Sequence, residues 1–189
     1  MNVAATALPE VKLLRPPRIE DARGWFAELW NARGAAAAGI QAAFVQDNMS
    51  FNADAGTLRG LHFQRPPAAQ GKLVWVAEGA VYDVVVDLRQ GSPNYGRHAA
   101  VVLTAAGGEQ LWVPEGFAHG YCTTVPATRV VYKVTAYYDP RAEGGVRFDD
   151  PALGIAWPVD AGRMIVSARD RALPLLGALA PPFRCGGSP

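Results

Sequence analysis

The chain has 189 residues with 18 basic and 17 acidic side chains, a formal net charge of +1, and half of its residues are hydrophobic. That length suits one ordinary domain with a full core, and the apolar content excludes a largely disordered chain. The balanced charge gives no electrostatic footprint for nucleic acid or an anionic membrane, and no apolar run approaches the roughly 20 residues that span a bilayer.

The N-terminus has no basic region followed by an apolar one, so no export signal is read there and a cytoplasmic protein is expected. Residues 11–14 read as an edge strand broken by the neighbouring prolines Pro9, Pro16 and Pro17. A turn at residues 21–24 precedes an alternating segment. Asn31 is placed to cap a short alanine-rich helix ending at Gly39. Residues 44–50 form a short strand leading into the Asp54-Ala55-Gly56 turn. From Lys72 onward, short strands recur with turn signals between them: residues 72–77, 81–88, 98–104, 110–113, 119–124 and 128–138. This spacing predicts an all-β sandwich or barrel with only short peripheral helices. Residues 1–176 make one domain, and residues 177–189 read as a flexible Pro/Gly-rich tail. Cys122 and Cys185 form no metal or redox spacing, and Cys122 lies in an apolar run that suggests simple burial.

The heptad Leu58-Arg59-Gly60-Leu61-His62-Phe63-Gln64 concentrates a cation and a histidine among apolar residues. On a regular strand, Arg59 and Leu61 face one side, and Leu58, Gly60, His62 and Gln64 the other. Gly60 admits close approach of a ligand or another backbone. His62 could serve as a general base near neutral pH; the same pattern also fits a core histidine satisfied by a neighbour. His98, beside Arg97 after a turn, reads as solvated. Arg23, Arg59 and Lys72 sit in or beside strands with apolar neighbours. Either their stems lie along the surface, or they cluster with Glu28, Gln46 and Asn48 around a phosphorylated, hydrogen-bonding ligand. Tyr132 is either core with a paired hydroxyl or a proton donor.

His119 falls in Pro114-Glu115-Gly116-Phe117-Ala118-His119-Gly120, which resembles the second motif of the cupin superfamily. Metal-binding cupins carry His-x-His in their first motif. Here the counterpart is His62-Phe63-Gln64, and a neutral amide is a poor ligand beside imidazole or carboxylate, so no metal is expected.

Further phrases occur in order: Phe44-Val45-Gln46-Asp47-Asn48, Gln70-Gly71-Lys72-Leu73-Val74, Asp83-Val84-Val85-Val86-Asp87, Tyr132-Lys133, Asp149-Asp150-Pro151, Ile155-Ala156-Trp157-Pro158 and Ser167-Ala168-Arg169-Asp170. With the two histidine motifs they resemble the dTDP-4-dehydrorhamnose 3,5-epimerase family over about residues 8–176. Two positions depart from the family's usual pattern: Arg169 in place of lysine, and Trp25 in place of phenylalanine.

The resemblance implies a cupin-type jelly roll, a homodimer, and inversion at C3 and C5 of a dTDP-4-keto-6-deoxyhexose without cofactor or catalytic metal. It implies His62 as base, held by Asp170, with Lys72 stabilising an enolate at C4 and Tyr132 as the acid on the opposite face. Asp83 would pair with Lys72. Arg59 and His119 would bind the pyrophosphate or its surroundings, with Glu143 and Arg169 nearby. Gln46 and Asn48 would meet the nucleotide, and Tyr138 would stack on the thymine. Arg23, Phe26 and Glu28 would come from the partner subunit's N-terminal segment. Two alternatives remain: an enzyme inverting only C3 or only C5, and a catalytically silent sugar-nucleotide-binding cupin.

Overall fold

A computed structural model describes residues 2–185. The first of two facing sheets runs, edge to edge, β1 (Asn2–Ala5), β2 (Lys12–Arg15), β11 (Gln110–Val113), β7 (Lys72–Glu78), β13 (Thr128–Val134) and β5 (Gln46–Asn52). The second runs β10 (His98–Thr104), β8 (Ala80–Asp87), β12 (Phe117–Thr123), β6 (Thr57–Gln64) and β14 (Glu143–Gly145), with β15 (Ile165–Val166) parallel to β6. A separate hairpin joins β3 (Arg18–Asp21) to β4 (Gly24–Ala27), and β9 (Arg89–Gln90) pairs with β16 (Phe183–Arg184). The helices are short: α1 (Ala32–Ala37) and α2 (Ala168–Arg171). None is long and apolar enough to cross a membrane. The expected all-β jelly roll is the fold observed.

The valine-rich strands explain why two sheets close on each other. On β8, Val81 and Val85 point between the sheets and meet Val74, Leu111 and Val130 of the other sheet. Val84 and Val86 point the opposite way and are covered by the C-terminal segment through Val146, Leu153 and Phe183. Both faces of β8 are therefore buried, which is why the strand reads as nearly continuous valine. Phe183 meets Phe63 edge-on, with ring centroids 5.6 Å apart. Of the segment expected as a flexible tail, residues 177–185 thus carry a short turn and a paired strand; residues 186–189 lie outside the described residues.

Residues 11–14 are not an edge: β1 pairs along β2 and covers it. Asn31 caps α1 as expected, its side chain accepting from Arg33 N at 3.0 Å and Gly34 N at 3.2 Å. That helix, with Ala35 and Ile40, covers the outer face of the first sheet at Leu14, Leu73 and Trp112. Cys122 is fully buried, and burial pushes its thiol up to about 11.

At β5 the usual pattern is inverted. Its half-buried and buried positions are Gln46, Asn48, Ser50 and Asn52, whereas Met49 and Phe51 are exposed. The polar inner face points toward the space between the sheets, and the outer face exposes Met49 and Phe51 beside Asp47.

Candidate active site

Six strands and one helical turn converge on a cavity of about 530 Å³ between the sheets, β15 closing it with Ile165 and Val166. Arg59 and His62 enter from β6, Lys72 from β7, His119 and Tyr121 from β12, Tyr132 from β13, Ser50 from β5, and Arg169 and Asp170 from α2.

Strict alternation sends Arg59 and His62 to opposite faces of β6; the structure places both on the cavity. The cause is a register shift. His119 pairs with His62 and Tyr121 with Arg59, so three steps on β6 oppose two on β12. The extra residue bulges and returns the strand to the same face. Gly60 sits at that bulge, where an added Cβ would stand 2.6 Å from Gly120 Cα. The close approach expected at Gly60 is therefore to a neighbouring backbone.

The bulge also brings β6 to α2. Ser167 caps that turn, its hydroxyl accepting from Asp170 N at 3.0 Å. Asp170 Oδ2 accepts from Gly60 N at 3.2 Å, and Oδ1 lies 2.7 Å from His62 Nε2. Burial pushes the Asp170 carboxyl up, but His62 and the Gly60 N–H outweigh it and hold the group below the usual carboxylate range. An ionised carboxylate only accepts, so His62 Nε2 carries a proton. In the neutral ring the lone pair is then on Nδ1, which has no protein partner among the described residues. His62 is 30% exposed and Asp170 only 6%.

His119 forms a second pair. Its Nε2 lies 2.9 Å from both oxygens of Asp83. The expected Asp83–Lys72 ion pair is not formed: the Asp83 carboxylate is taken by His119, and Lys72 feels it only at longer range. Burial pushes Lys72 down to about 8, with the charges of Asp83 and Glu143 partly offsetting the fall. A lysine so placed is a cation near neutral pH that loses its charge easily.

Tyr132 lines the cavity, and its hydroxyl has no protein partner among the described residues. Burial raises its pKa, Tyr121 and Glu143 add to the rise, and Arg59 opposes it, so at neutral pH the phenol holds its proton. Arg59 is aimed by Asn52, whose Oδ1 accepts from its Nε at 2.8 Å.

At the rim, the Glu143 carboxylate accepts from Tyr138 Oη at 2.6 Å and meets Arg169 Nη2 at 2.5 Å. Gln46 donates to Asn48 Oδ1 at 2.7 Å and accepts from Tyr138 N at 3.2 Å, so these two stand beside Tyr138 on the inner face of β5, outside the cavity lining. Arg23, Phe26 and Glu28 are not brought to this cavity. Arg23 pairs with Asp21 at 2.6 Å, Glu28 accepts from Asn31, and Phe26 is 67% exposed.

Sequence reasoning missed Ser50, Asn52 and Tyr121. A signal existed for each: Tyr121 follows His119 by two on one strand, and Ser50 and Asn52 continue the parity of Gln46 and Asn48. Gln64, at the position of a second metal ligand in cupins, is buried and donates to Ala68 O and Tyr137 O while accepting from Asp139 N.

A jelly roll enclosing a histidine–carboxylate pair, a cationic lysine and a protonated phenol defines an acid–base enzyme. The family model for dTDP-4-dehydrorhamnose 3,5-epimerase matches residues 5–178. The enzyme of that name from Sinorhizobium fredii is 44% identical over 188 residues, covering 97% of this chain and 94% of its own. The Bacillus anthracis dTDP-4-dehydrorhamnose 3,5-epimerase, solved with TDP and PPi bound, superposes with a TM-score of 0.89 at 48% identity over 92% of this chain and 98% of its own. The Legionella pneumophila dTDP-6-deoxy-D-glucose-3,5-epimerase, in complex with dTDP-4-keto-L-rhamnose, gives 0.92 at 39% identity over 98% and 99%. This chain belongs to the dTDP-4-dehydrorhamnose 3,5-epimerase family.

Proposed function

We propose that the enzyme inverts C3 and C5 of dTDP-4-dehydro-6-deoxy-D-glucose, giving dTDP-4-dehydro-L-rhamnose. The observation that carries this reading is the His62–Asp170 pair at 2.7 Å opening on the same cavity as Lys72 and Tyr132. Protons on carbons flanking the C4 ketone are acidic enough for a positioned base. His62 Nδ1 takes one, and Asp170 stabilises the imidazolium that results. The electrons move to the C4 oxygen, where the Lys72 ammonium meets a charge absent from the ground state. Inversion then needs a proton from the other face, and Tyr132 supplies it. Arg59 and His119 serve the pyrophosphate side, and Gln46, Asn48 and Tyr138 the nucleotide, with Glu143 and Arg169 closing the rim.

In this reading the enzyme is a cytoplasmic homodimer. The β3–β4 hairpin exposes Ile19, Trp25 and Phe26, which supports its packing on a second copy and delivering Arg23, Phe26 and Glu28 to that copy's cavity. Mixing Arg23→Ala with His62→Asn protein should restore about a quarter of the wild-type activity, since half of the dimers are mixed and each has one intact site. No recovery after subunit exchange removes the shared site.

The reaction is tested with the 4-keto substrate in D₂O, following label at C3 and C5 by NMR and trapping product with a ketoreductase. Label and inversion at both carbons are expected. Label with inversion at one carbon alone replaces the reading with a mono-epimerase, and no label at either replaces it with a silent binding protein.

A further inference from the structure

Tyr132, once it has given up its proton, leaves a phenolate in a poorly solvated cavity. Something must stabilise that charge. Arg59 is the cation on hand, but its guanidinium is already directed to Asn52 Oδ1 and the Phe51 carbonyl. The cavity holds one more phenol, Tyr121, which none of the roles above uses.

Tyr121 reaches across the molecule. It springs from β12 of the second sheet, yet its hydroxyl lies 2.7 Å from Ser50 Oγ on β5 of the first. Ser50 is opposite Val130 in the β5–β13 ladder, and Asn48 is opposite Tyr132. Ser50 and Tyr132 are thus diagonal neighbours on one face of a strand pair, a separation of roughly 7–8 Å between backbones that aromatic side chains span. Tyr121 and Tyr132 also pack into one core cluster and line one cavity. Ser50 Oγ lies 3.4 Å from Val130 O. When Ser50 donates there, Tyr121 donates to Ser50; when the Tyr121 O–H turns into the cavity, Ser50 donates to the Tyr121 oxygen instead. Each element of this arrangement is a hydroxyl on the cavity wall, and buried hydroxyls are costly unless they have partners.

We infer that Tyr121, held by Ser50, is a positioning residue for Tyr132: its O–H turns to the Tyr132 oxygen and stabilises the phenolate formed on proton donation. No proton leaves Tyr121. The Tyr132 O–H bond breaks, a C–H bond forms on the sugar, and the negative charge that moves from the enolate to Tyr132 gains a donor. The Arg59 charge favours ionisation of both phenols. The inference rests on Tyr132 as the acid.

The test is Tyr121→Phe, which keeps the ring in the core and removes only the hydroxyl, assayed in D₂O. Removal of the substrate proton by His62 should stay within about threefold of wild type, whereas inverted product should fall about tenfold, the scale of one lost hydrogen bond to a developing charge. Ser50→Ala should show the same split, more weakly. Replacing Tyr132 by 3-fluorotyrosine, a more acidic phenol, should restore inversion in the Tyr121→Phe background, which a structural defect would not allow. Equal loss of exchange and inversion in Tyr121→Phe overturns the inference, as does unchanged inversion. If Tyr132→Phe itself keeps full inversion, the failure belongs to the assignment of the acid.

Discussion

Two histidine–aspartate pairs stand side by side on neighbouring strands, and they are built for different work. His62 and His119 are paired residues of β6 and β12. His62 is 30% exposed and touches one oxygen of Asp170, whose other oxygen accepts a backbone N–H. His119 is 8% exposed and meets both oxygens of a wholly buried Asp83. The open pair leaves a ring nitrogen free toward the cavity and can exchange its proton with a bound molecule. The closed pair satisfies a buried carboxylate that would otherwise cost several kcal/mol. In the proposed mechanism it is access, rather than residue type, that separates the base from the brace.

Breaking the open pair has the largest expected effect. His62→Asn should lower turnover by at least about 10²-fold, the usual scale for a lost general base, with nucleotide binding retained. Asp170→Asn should also be severe. An amide gives the imidazolium no counter-charge, and its NH₂ group competes for the wrong ring tautomer. Steady-state kinetics alongside nucleotide titration checks both. Near-normal turnover in either variant assigns the base elsewhere.

Breaking the closed pair acts through Lys72. Burial holds Lys72 down at about 8, and Asp83 is the first of two charges that hold it up. The sign follows: with Asp83→Asn, the lysine falls below 8 and is neutral at a lower pH. The alkaline limb of the pH–rate profile should therefore move to lower pH. Activity at pH 8 should drop by about three- to tenfold and much less at pH 6.5, since one pKa unit is a tenfold change in protonation. A thermal melt should register the weakened His119 contact as a loss of about 1–3 kcal/mol. An alkaline limb that stays in place would show that Lys72 does not carry the required charge.

How much of this was legible in the sequence divides along the same line. Valine alternation on β8 gave both sheets their core, and the strand at His98–Thr104 has the expected bounds. His62, Lys72, Tyr132 and Asp170 came through motif resemblance, and they converge. What alternation could not supply was the bulge at Gly60, because a one-residue slip is fixed by the partner strand; it alone brings Arg59 and His62 to one face. Asp83 was given to Lys72 because opposite charges pair readily on paper, whereas the register of β8 against β12 sets Tyr121 opposite Asp83 and His119 diagonal to it, within reach of its carboxylate. Tyr121 was hidden for the opposite reason. An aromatic on a buried strand reads as core, and only the contact with Ser50 from the facing sheet gives its hydroxyl a purpose.

The smallest effect expected is none, on removing metal. Two neighbouring strand histidines are where a metal-binding cupin would hold its ion, so the pairing of His62 with His119 makes the question concrete. Each Nε2 is already engaged by a different carboxylate, at 2.7 Å and 2.9 Å. An ion held by these histidines would have to bind through Nδ1, with each Nε2–H still donating to its carboxylate. Gln64, the next donor along β6, spends its amide on three backbone groups away from the cavity. Among the described residues, no group of three or more His, Cys, Asp or Glu side chains converges on one point. In the proposed mechanism the two pairs serve proton transfer and charge balance with the groups they already have. Prolonged chelation followed by assay in metal-depleted buffer should leave turnover unchanged. A loss that tracks the metal removed, and returns with stoichiometric Zn²⁺ or Fe²⁺, would mean that the cavity holds an ion during turnover.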